Sequence, residues 1–148
     1  MPKPGDRYST IKKLLAEGRK RILILSHRNP DGDAIGSSLG LANLLNHIDH
    51  ETNVLVPNRF PAFLNWMKNA DKIVVYTDQT EKAAEILKSA EIVFLLDFND
   101  LSRIREFDEH LDQSKAYKVL IDHHPDPTSF ADLTISYKGV SSTAELVY

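Results

Sequence analysis

Short runs of apolar residues, separated by segments with helical spacing, occupy most of the chain. The three clearest runs cover residues 22–25, 92–96 and 119–121, and each stops abruptly at polar residues. Short unbroken runs of this kind are typical of strands that are buried on both faces. Weaker strand patterns cover residues 52–56 and 73–76. The pattern therefore predicts about five strands.

Helical spacing fills the segments between these strands. The predicted helices cover residues 8–17, 34–46, 81–88 and 101–111, and several follow an Asp, Thr or Ser that can cap a helix. Strands that alternate with helices indicate βαβ units, whose strands are parallel. We therefore predict an α/β fold, a Rossmann-like three-layer domain with a mostly parallel sheet of about five strands and helices on both faces.

The polar residues that follow the three clearest strands carry carboxylate and imidazole groups. In a parallel sheet the carboxyl ends of the strands meet at one edge, and ligands bind in the crevice beside that edge. The pattern therefore places these side chains together before any family is considered. They are His27, Asp31 and Asp33 after the first strand, Asp97 after the second, and Asp122, His123 and His124 after the third.

Composition limits the chemistry of such a site. The 148 residues include no cysteine, which excludes disulfides, thiolate zinc sites, iron–sulfur clusters and a cysteine nucleophile. A metal would have oxygen and imidazole ligands, a mixture that suits manganese or iron better than calcium. The net charge of −3 arises from 18 basic and 21 acidic residues without long blocks of either sign, so no surface for duplex DNA is predicted.

Membrane and export signals are missing from the sequence. No apolar stretch approaches the ~18 residues that a membrane-spanning helix needs. The first ten residues lack the apolar core of a signal peptide. We therefore expect a cytoplasmic protein without a membrane partner.

The segment that follows the first strand allows two interpretations. Taken alone, residues 29–33 favour a turn, with Asp33 capping the helix that begins at residue 34. Their alternative role is metal binding. Within that helix, Gly36 either packs closely or brings its backbone N–H to a phosphate, whereas close packing against the sheet is expected for Gly40.

Asp97 ends an almost wholly apolar strand, where an uncompensated charge is costly and a metal ion would compensate it. The alternative is a helix cap before residue 101, provided by Asp97, Asn99 or Asp100. These two interpretations are equally compatible with the strand pattern.

The run Asp122-His123-His124 is the strongest chemical signal in the chain. Consecutive histidines at a strand end point in different directions, so one can bind a metal while its neighbour contacts substrate. Asp122 can then hold an imidazole N–H. A lone histidine pair could be structural, but three ligand-bearing strand ends at one edge argue against three separate accidents.

Other polar and aromatic residues receive weaker assignments. Arg28 and Arg103 are the basic residues nearest the predicted site, and each could orient phosphate oxygens or form a surface ion pair. Solvent exposure is expected for His47, His50 and His110, which lie near predicted helix ends. Packing between a helix and the sheet, rather than base stacking, is expected for Phe60, Phe63, Trp66 and Met67.

The order of the ligand-bearing segments resembles the first three motifs of the DHH phosphoesterase superfamily. The resemblance covers residues 20–148. Residues 27–37 and 142–145 are most similar to the bacterial nano-RNases that also act as 3′-phosphoadenosine 5′-phosphate phosphatases. The matching motifs are His27-x-x-x-Asp31-x-Asp33, the strand-end Asp97, and Asp122-His123-His124.

This resemblance implies a hydrolase for a small nucleotide or very short single-stranded RNA, which acts through a metal-activated water. Two Mn²⁺ ions are implied, with Mg²⁺ or Fe²⁺ as alternatives. Asp97 would bridge the ions, and His124 would bind phosphate or assist the leaving group. One ion would be held by His27, Asp31 and Asp97, and the other by Asp33, Asp97 and His123.

The form of residues 142–145 is that of a capping box, Ser-x-x-Glu, and predicts that a helix begins there. We expect residues 1–19 to form an N-terminal helix and lead-in, and residues 20–148 to form the metal-binding catalytic domain. By resemblance, that domain stops before the family's fourth metal-binding Asp, and the C-terminal substrate-binding domain is absent. A homodimer is left open.

Several functions compete with the nano-RNase assignment. Within the family they are cyclic-dinucleotide phosphodiesterase, pyrophosphatase, exopolyphosphatase and single-strand exonuclease. From a different class comes a non-catalytic module that binds metal or nucleotide. A dinucleotide-binding domain is disfavoured because no Gly-x-Gly-x-x-Gly follows the first strand.

Overall fold

A six-stranded parallel sheet forms the centre of the computed structural model, which describes residues 4–148. The strands are β1 Arg21–Leu25, β2 Glu51–Val56, β3 Val74–Val75, β4 Ile92–Leu96, β5 Tyr117–Asp122 and β6 Leu133–Ser136. Their order across the sheet is β3-β2-β1-β4-β5-β6, and every pairing is parallel. The first strand of the sequence, β1, therefore lies in the middle of the sheet.

Helices cover both faces of the sheet, as the three-layer prediction requires. The α-helices are α1 Pro4–Ala16, α2 Gly32–His47, α3 Thr80–Ser89, α4 Asp108–Gln113 and α5 Thr143–Val147. Short 3₁₀ helices cover Ala62–Leu64, Ala70–Lys72 and Leu101–Ile104. Alternate residues of β1 contribute to two separate buried clusters: Ile22 belongs to the cluster under α1, α2 and α5, and Leu23 belongs to the cluster under α3 and α4.

The α/β prediction is confirmed, with one strand more than the expected five. The additional strand, β6, has only four residues, and they alternate between buried and partly exposed. Such a short edge strand carries a weak apolar signal, because half of its side chains face away from the core. No described helix combines the length and apolarity of a membrane span.

The helix predicted over residues 101–111 is wrong as a single element. A 3₁₀ helix ends at Ile104, and α4 begins only at Asp108. Phe107 separates them with a φ of −144°, outside the helical range, and its ring lies in the core beside Tyr76 at a centroid distance of 5.5 Å. Burial of this ring therefore outweighs helix continuity.

The packing expected for the aromatic segment after β2 is partly wrong. Phe63 and Trp66 are 74% and 79% exposed, whereas Phe60 and Met67 are partly buried against the core. The intervening core contact is supplied instead by Leu64, which is 4% exposed. Short 3₁₀ turns replace the regular helix that would have aligned these rings on one face.

Exposure is confirmed for two of the three histidines outside the site and wrong for the third. His47 and His110 are exposed. His50 is 6% exposed, and its Nδ1 accepts a hydrogen bond from the backbone N–H of Lys20 at 3.1 Å. This bond joins the start of β2 to the start of β1 and gives the buried imidazole a partner.

Gly40 is exposed on α2, so the close packing expected for it is wrong. A Cβ added at Gly40 meets no atom within 4 Å, and the residue has no left-handed φ. Gly40→Ala should raise the free energy of unfolding by about 0.4–1 kcal/mol, since alanine lowers the entropy of the unfolded chain. Urea unfolding measures this change.

Gly18 is the matched control for that substitution. A Cβ there also meets nothing within 4 Å, but its φ is +108°. Gly18→Ala should therefore destabilise the protein, because alanine is strained at this φ. Equal effects of the two substitutions would show that the backbone conformation does not decide the outcome.

Candidate metal centre

The carboxyl ends of β1, β4 and β5 bring the predicted ligands to one edge of the sheet. These strands are neighbours, with Leu25 paired to Leu95 and Leu96 paired to Ile121. The backbone N–H of Asp97 still donates to the carbonyl of Ile121 at 3.2 Å, so this residue leaves the sheet at a fixed position. The strand-end prediction therefore corresponds to an actual cluster of side chains.

The carboxylate of Asp97 lies at the centre of the cluster. It is 2% exposed, and its two oxygens face different histidines. His27 Nε2 lies 3.3 Å from Oδ2, and His123 Nε2 lies 3.4 Å from Oδ1. Asp97 has a φ of +67°, a left-handed conformation that Asp adopts more readily than most residues. One buried carboxylate therefore connects two imidazoles.

A hydrogen bond fixes the orientation of the His27 ring. Its Nδ1 lies 2.7 Å from the carbonyl oxygen of Arg28, which can only accept, so Nδ1 carries the proton. Nε2 then faces Asp97. Burial lowers the pKa of His27, but the bonds to Asp97 and to the Arg28 carbonyl outweigh burial and raise this pKa above its ordinary value.

The same interactions keep Asp97 ionised. Burial raises the pKa of its carboxyl, whereas hydrogen bonds from His27 and Thr143 lower it, and the net shift is downward. The site therefore combines a buried negative charge with imidazole nitrogen atoms, which is the environment that a divalent cation compensates.

The two carboxylates at the start of α2 have different partners. Asp31, not Asp33, caps the helix, because Asp31 Oδ1 accepts from the backbone N–H of Ala34 at 2.9 Å. The capping role expected for Asp33 is therefore wrong. Asp33 instead accepts from the backbone N–H groups of Thr143 and Ala144, at 2.8 and 2.9 Å. Its Oδ2 also lies 3.7 Å from His123 Nε2.

Asp122 holds the second histidine of the pair. Its Oδ1 lies 2.6 Å from His124 Nδ1, and the carboxylate is fully buried. The other oxygen, Oδ2, has no hydrogen-bond partner among the described residues. The His124 side chain is 36% exposed, so its remaining nitrogen, Nε2, is the one available to a ligand.

Asp100, and not Asp97, provides the helix cap that was the alternative role for Asp97. Asp100 Oδ1 accepts from the backbone N–H of Ser102 at 2.8 Å and begins the 3₁₀ helix there. The side-chain bond to Ser102 also lowers the pKa of Asp100. Asp97 is therefore not needed as a cap, and its side chain faces the histidines instead.

The residues predicted to contact substrate, Arg28, Arg103 and Gly36, do not belong to the cluster of candidate ligands. Arg28 was expected either to orient phosphate oxygens or to form a surface ion pair. It forms an ion pair, with Nη1 2.8 Å from Glu106 Oε1. Arg103 is exposed, and its positive charge is close enough to oppose protonation of His27. Gly36 lies in α2 with open space where a Cβ would stand.

The donor set fits a divalent metal ion. Ligand atoms about 2.1 Å from a common ion lie about 3.0–3.5 Å apart at octahedral to tetrahedral angles, close to the contacts of Asp97 with His27 and His123. Two groups of side chains place one ligand atom each within 4.8 Å of one another. They are His27, Asp31 and Asp97, and Asp97, His123 and His124.

Thr143 was not predicted as a site residue, although it lies within the segment 142–145 that resembles the nano-RNases. Its hydroxyl donates to Asp97 Oδ1 at 2.9 Å, although the two residues are 46 positions apart. The available signal was the capping box, which correctly predicted that a helix begins at this point: Ser142 accepts from Glu145 N at 3.2 Å. That pattern locates a helix start but does not reveal what the start contacts.

Several known proteins are similar to this chain. The model of the DHH family, N-terminal domain, matches residues 21–148. The chain is 33% identical over 149 residues to the bifunctional oligoribonuclease and PAP phosphatase NrnA of Thermus thermophilus, a match that covers 97% of this chain and 41% of the relative. It is 27% identical over 145 residues to the cyclic-di-AMP phosphodiesterase GdpP of Geobacillus thermodenitrificans, covering 93% of this chain and 22% of that protein.

A solved structure is also similar to this chain. The exopolyphosphatase-related protein from Bacteroides fragilis superposes with a TM-score of 0.94 at 41% identity, over 99% of this chain and 44% of that one. The chain thus spans less than half the length of these relatives. The family model covers nearly all of the sequence and includes every predicted ligand. The chain therefore belongs to the DHH family and carries that family's N-terminal domain.

Proposed function

We propose that this domain is the metal-binding half of a manganese-dependent phosphoesterase for short oligoribonucleotides, 3′-phosphoadenosine 5′-phosphate, or both. The observation that carries this proposal is the buried carboxylate of Asp97, with one oxygen facing His27 and the other facing His123. A carboxylate in that position can bridge two cations. The substrates are inferred from the names of the relatives and from the similarity of residues 27–37 to the nano-RNases.

The ligand sets proposed here are those that the family resemblance implies, and the contacts of the site are compatible with them. His27, Asp31 and Asp97 would hold one ion. On the other side, His123 Nε2 is open toward Asp33 and Asp97, whereas His124 Nδ1 is occupied by Asp122 at 2.6 Å.

By family resemblance the second ion is assigned to Asp33, Asp97 and His123, and His124 is assigned to substrate, although its Nε2 is also free and it forms a group with Asp97 and His123. Two bound divalent ions would supply an activated water and neutralise charge on the phosphoryl oxygens.

His124 is the protein group best placed to move a proton. A carboxylate on Nδ1 fixes the ring so that Nε2 points away from Asp122. Nε2 can then bind a phosphate oxygen or donate a proton to the leaving oxygen of the ester. The protein itself provides no covalent nucleophile in this scheme.

Cyclic-dinucleotide hydrolysis is the second candidate, because the similarity to the phosphodiesterase GdpP covers 93% of the chain. Both candidates use the same centre and differ in the substrate. More than half of each relative lies outside the region that matches this domain. The choice between these substrates is therefore expected to depend on parts of those proteins that have no counterpart in this domain.

An assay with several substrates tests the proposal. We expect Mn²⁺ to be required for release of phosphate from 3′-phosphoadenosine 5′-phosphate and of mononucleotide from a diribonucleotide. Cyclic di-AMP and polyphosphate are assayed in parallel, with Mg²⁺, Fe²⁺ and a chelator as metal conditions. Preferred cleavage of cyclic di-AMP would favour the second candidate. Tight Mn²⁺ binding without hydrolysis of any substrate would favour a non-catalytic binding module.

A further inference from the structure

We propose that Thr143 is a positioning residue of the metal centre, which fixes the Asp97 carboxylate so that each oxygen faces one histidine. This inference rests on the proposed metal-binding function. It concerns a residue that is not itself a candidate ligand. It also gives α5 a role in the centre, although α5 is the element furthest along the chain from His27.

The contact with Asp97 is buried and specific. Thr143 is completely buried, and its Oγ1 donates to Asp97 Oδ1 at 2.9 Å. A buried hydroxyl is costly unless it is hydrogen-bonded. A valine would fill nearly the same space without that requirement, so packing alone does not explain a threonine here.

The bond removes a rotational freedom that the backbone does not control. The left-handed φ of Asp97 determines where its Cβ lies, but the carboxylate can still rotate about its terminal torsion. Donation from Thr143 to Oδ1 fixes that rotation and directs Oδ2 toward His27. It occupies one acceptor site of Oδ1 and leaves the other for a ligand on the His123 side.

The neighbouring backbone supports the same centre. The N–H groups of Thr143 and Ala144 hold the two oxygens of Asp33 at 2.8 and 2.9 Å. The first turn of α5 therefore orients two carboxylates that the sequence places 64 residues apart, at positions 33 and 97. These bonds use backbone atoms and not the Thr143 side chain, so substitution of that side chain tests the hydroxyl separately from them.

Three variants separate the hydroxyl from its surroundings. Thr143→Val keeps the shape and removes the donor, Thr143→Ser keeps the donor and removes the methyl group, and Ser142→Ala weakens the cap of α5 while leaving the Thr143 bond in place. The probe is Mn²⁺ alone, titrated calorimetrically. Circular dichroism establishes that each variant is folded.

We expect Thr143→Val to weaken Mn²⁺ binding by about 10-fold or more, the scale reported for removing a group that orients a metal ligand. The loss of affinity should mainly affect the Mn²⁺ ion on the His123 side, since Oδ1 faces His123 rather than His27. Thr143→Ser should restore affinity to within about twofold, and Ser142→Ala should change it by no more than that, the scale of a neutral substitution.

Two results would overturn the inference while leaving the proposed function intact. One is a Thr143→Val protein that binds Mn²⁺ as tightly as the original chain. The other is an equal loss with Ser142→Ala, which would show that helix stability rather than the hydroxyl matters. If the original chain binds no Mn²⁺, the proposed function and this inference fail together.

Discussion

Asp97→Asn is expected to weaken Mn²⁺ binding by more than about 100-fold, beyond the range observed for residues that only orient a ligand. The amide removes the negative charge and leaves one oxygen in place of two, so it cannot serve the His27 side and the His123 side together. Asparagine is preferable to alanine here because Asn tolerates the φ of +67° at this position. Calorimetric titration with Mn²⁺ measures the change, and phosphate release should fall with it.

Asp126→Asn is the matched control. Asp126 also has a left-handed φ, +53°, but its side chain is 87% exposed and pairs with Lys138 at 2.8 Å. The same chemical change at the same backbone conformation should alter Mn²⁺ affinity by less than about twofold. An Asp97→Asn protein that retained the original affinity would refute the proposed metal centre.

The central sheet was predictable because its strands are buried on both faces. Strand β4 has five residues, all buried and all apolar, and its predicted bounds were the observed ones. Strand β6 escaped prediction because it lies at the edge, where Thr134 and Ser136 are only partly buried and interrupt the apolar pattern. The strength of the sequence signal therefore follows the position of a strand within the sheet.

The location of the site was predictable from the same logic, but its internal contacts were not. Strand ends in a parallel sheet converge whatever the details of the loops, so His27, Asp97 and His123 had to be neighbours. In contrast, the bonds from Thr143 to Asp97 and from the α5 backbone to Asp33 join residues 46 and 110 positions apart. Local patterns contain no information about such contacts.

Exposure of single side chains was the least predictable property. Phe63 and Trp66 are among the most apolar residues of their segment, yet the 3₁₀ turns there direct Leu64 inward and leave both rings in solvent. His50 has polar neighbours in sequence but is buried by its bond to the N–H of Lys20. Local backbone geometry in the first case, and a long-range hydrogen bond in the second, outweighed residue type.

Asp122→Asn is expected to lower the turnover number by about 100-fold or more while leaving Mn²⁺ affinity nearly unchanged, because general acid–base groups contribute on that scale. Among the described residues the side chain of Asp122 bonds to His124, whose Nδ1 it holds at 2.6 Å, and to none of the proposed metal ligands. An amide can present N–H to Nδ1, which would shift the ring proton to Nε2 and fix the neutral tautomer. Steady-state kinetics and nitrogen NMR of the His124 ring measure the two effects separately.

The size of the loss in turnover relative to the loss in Mn²⁺ affinity decides the role of His124. Its ring lies 4.5 Å from that of His123, and its Nδ1 is within 3.9 Å of Asp97 Oδ1, so distance alone would also allow it to be a metal ligand. If His124 contacts substrate, Asp122→Asn and His124→Gln reduce turnover together and spare Mn²⁺ binding. If His124 binds the metal, both substitutions reduce Mn²⁺ affinity and turnover in parallel, and the second ligand set changes from Asp33, Asp97 and His123 to one that includes His124.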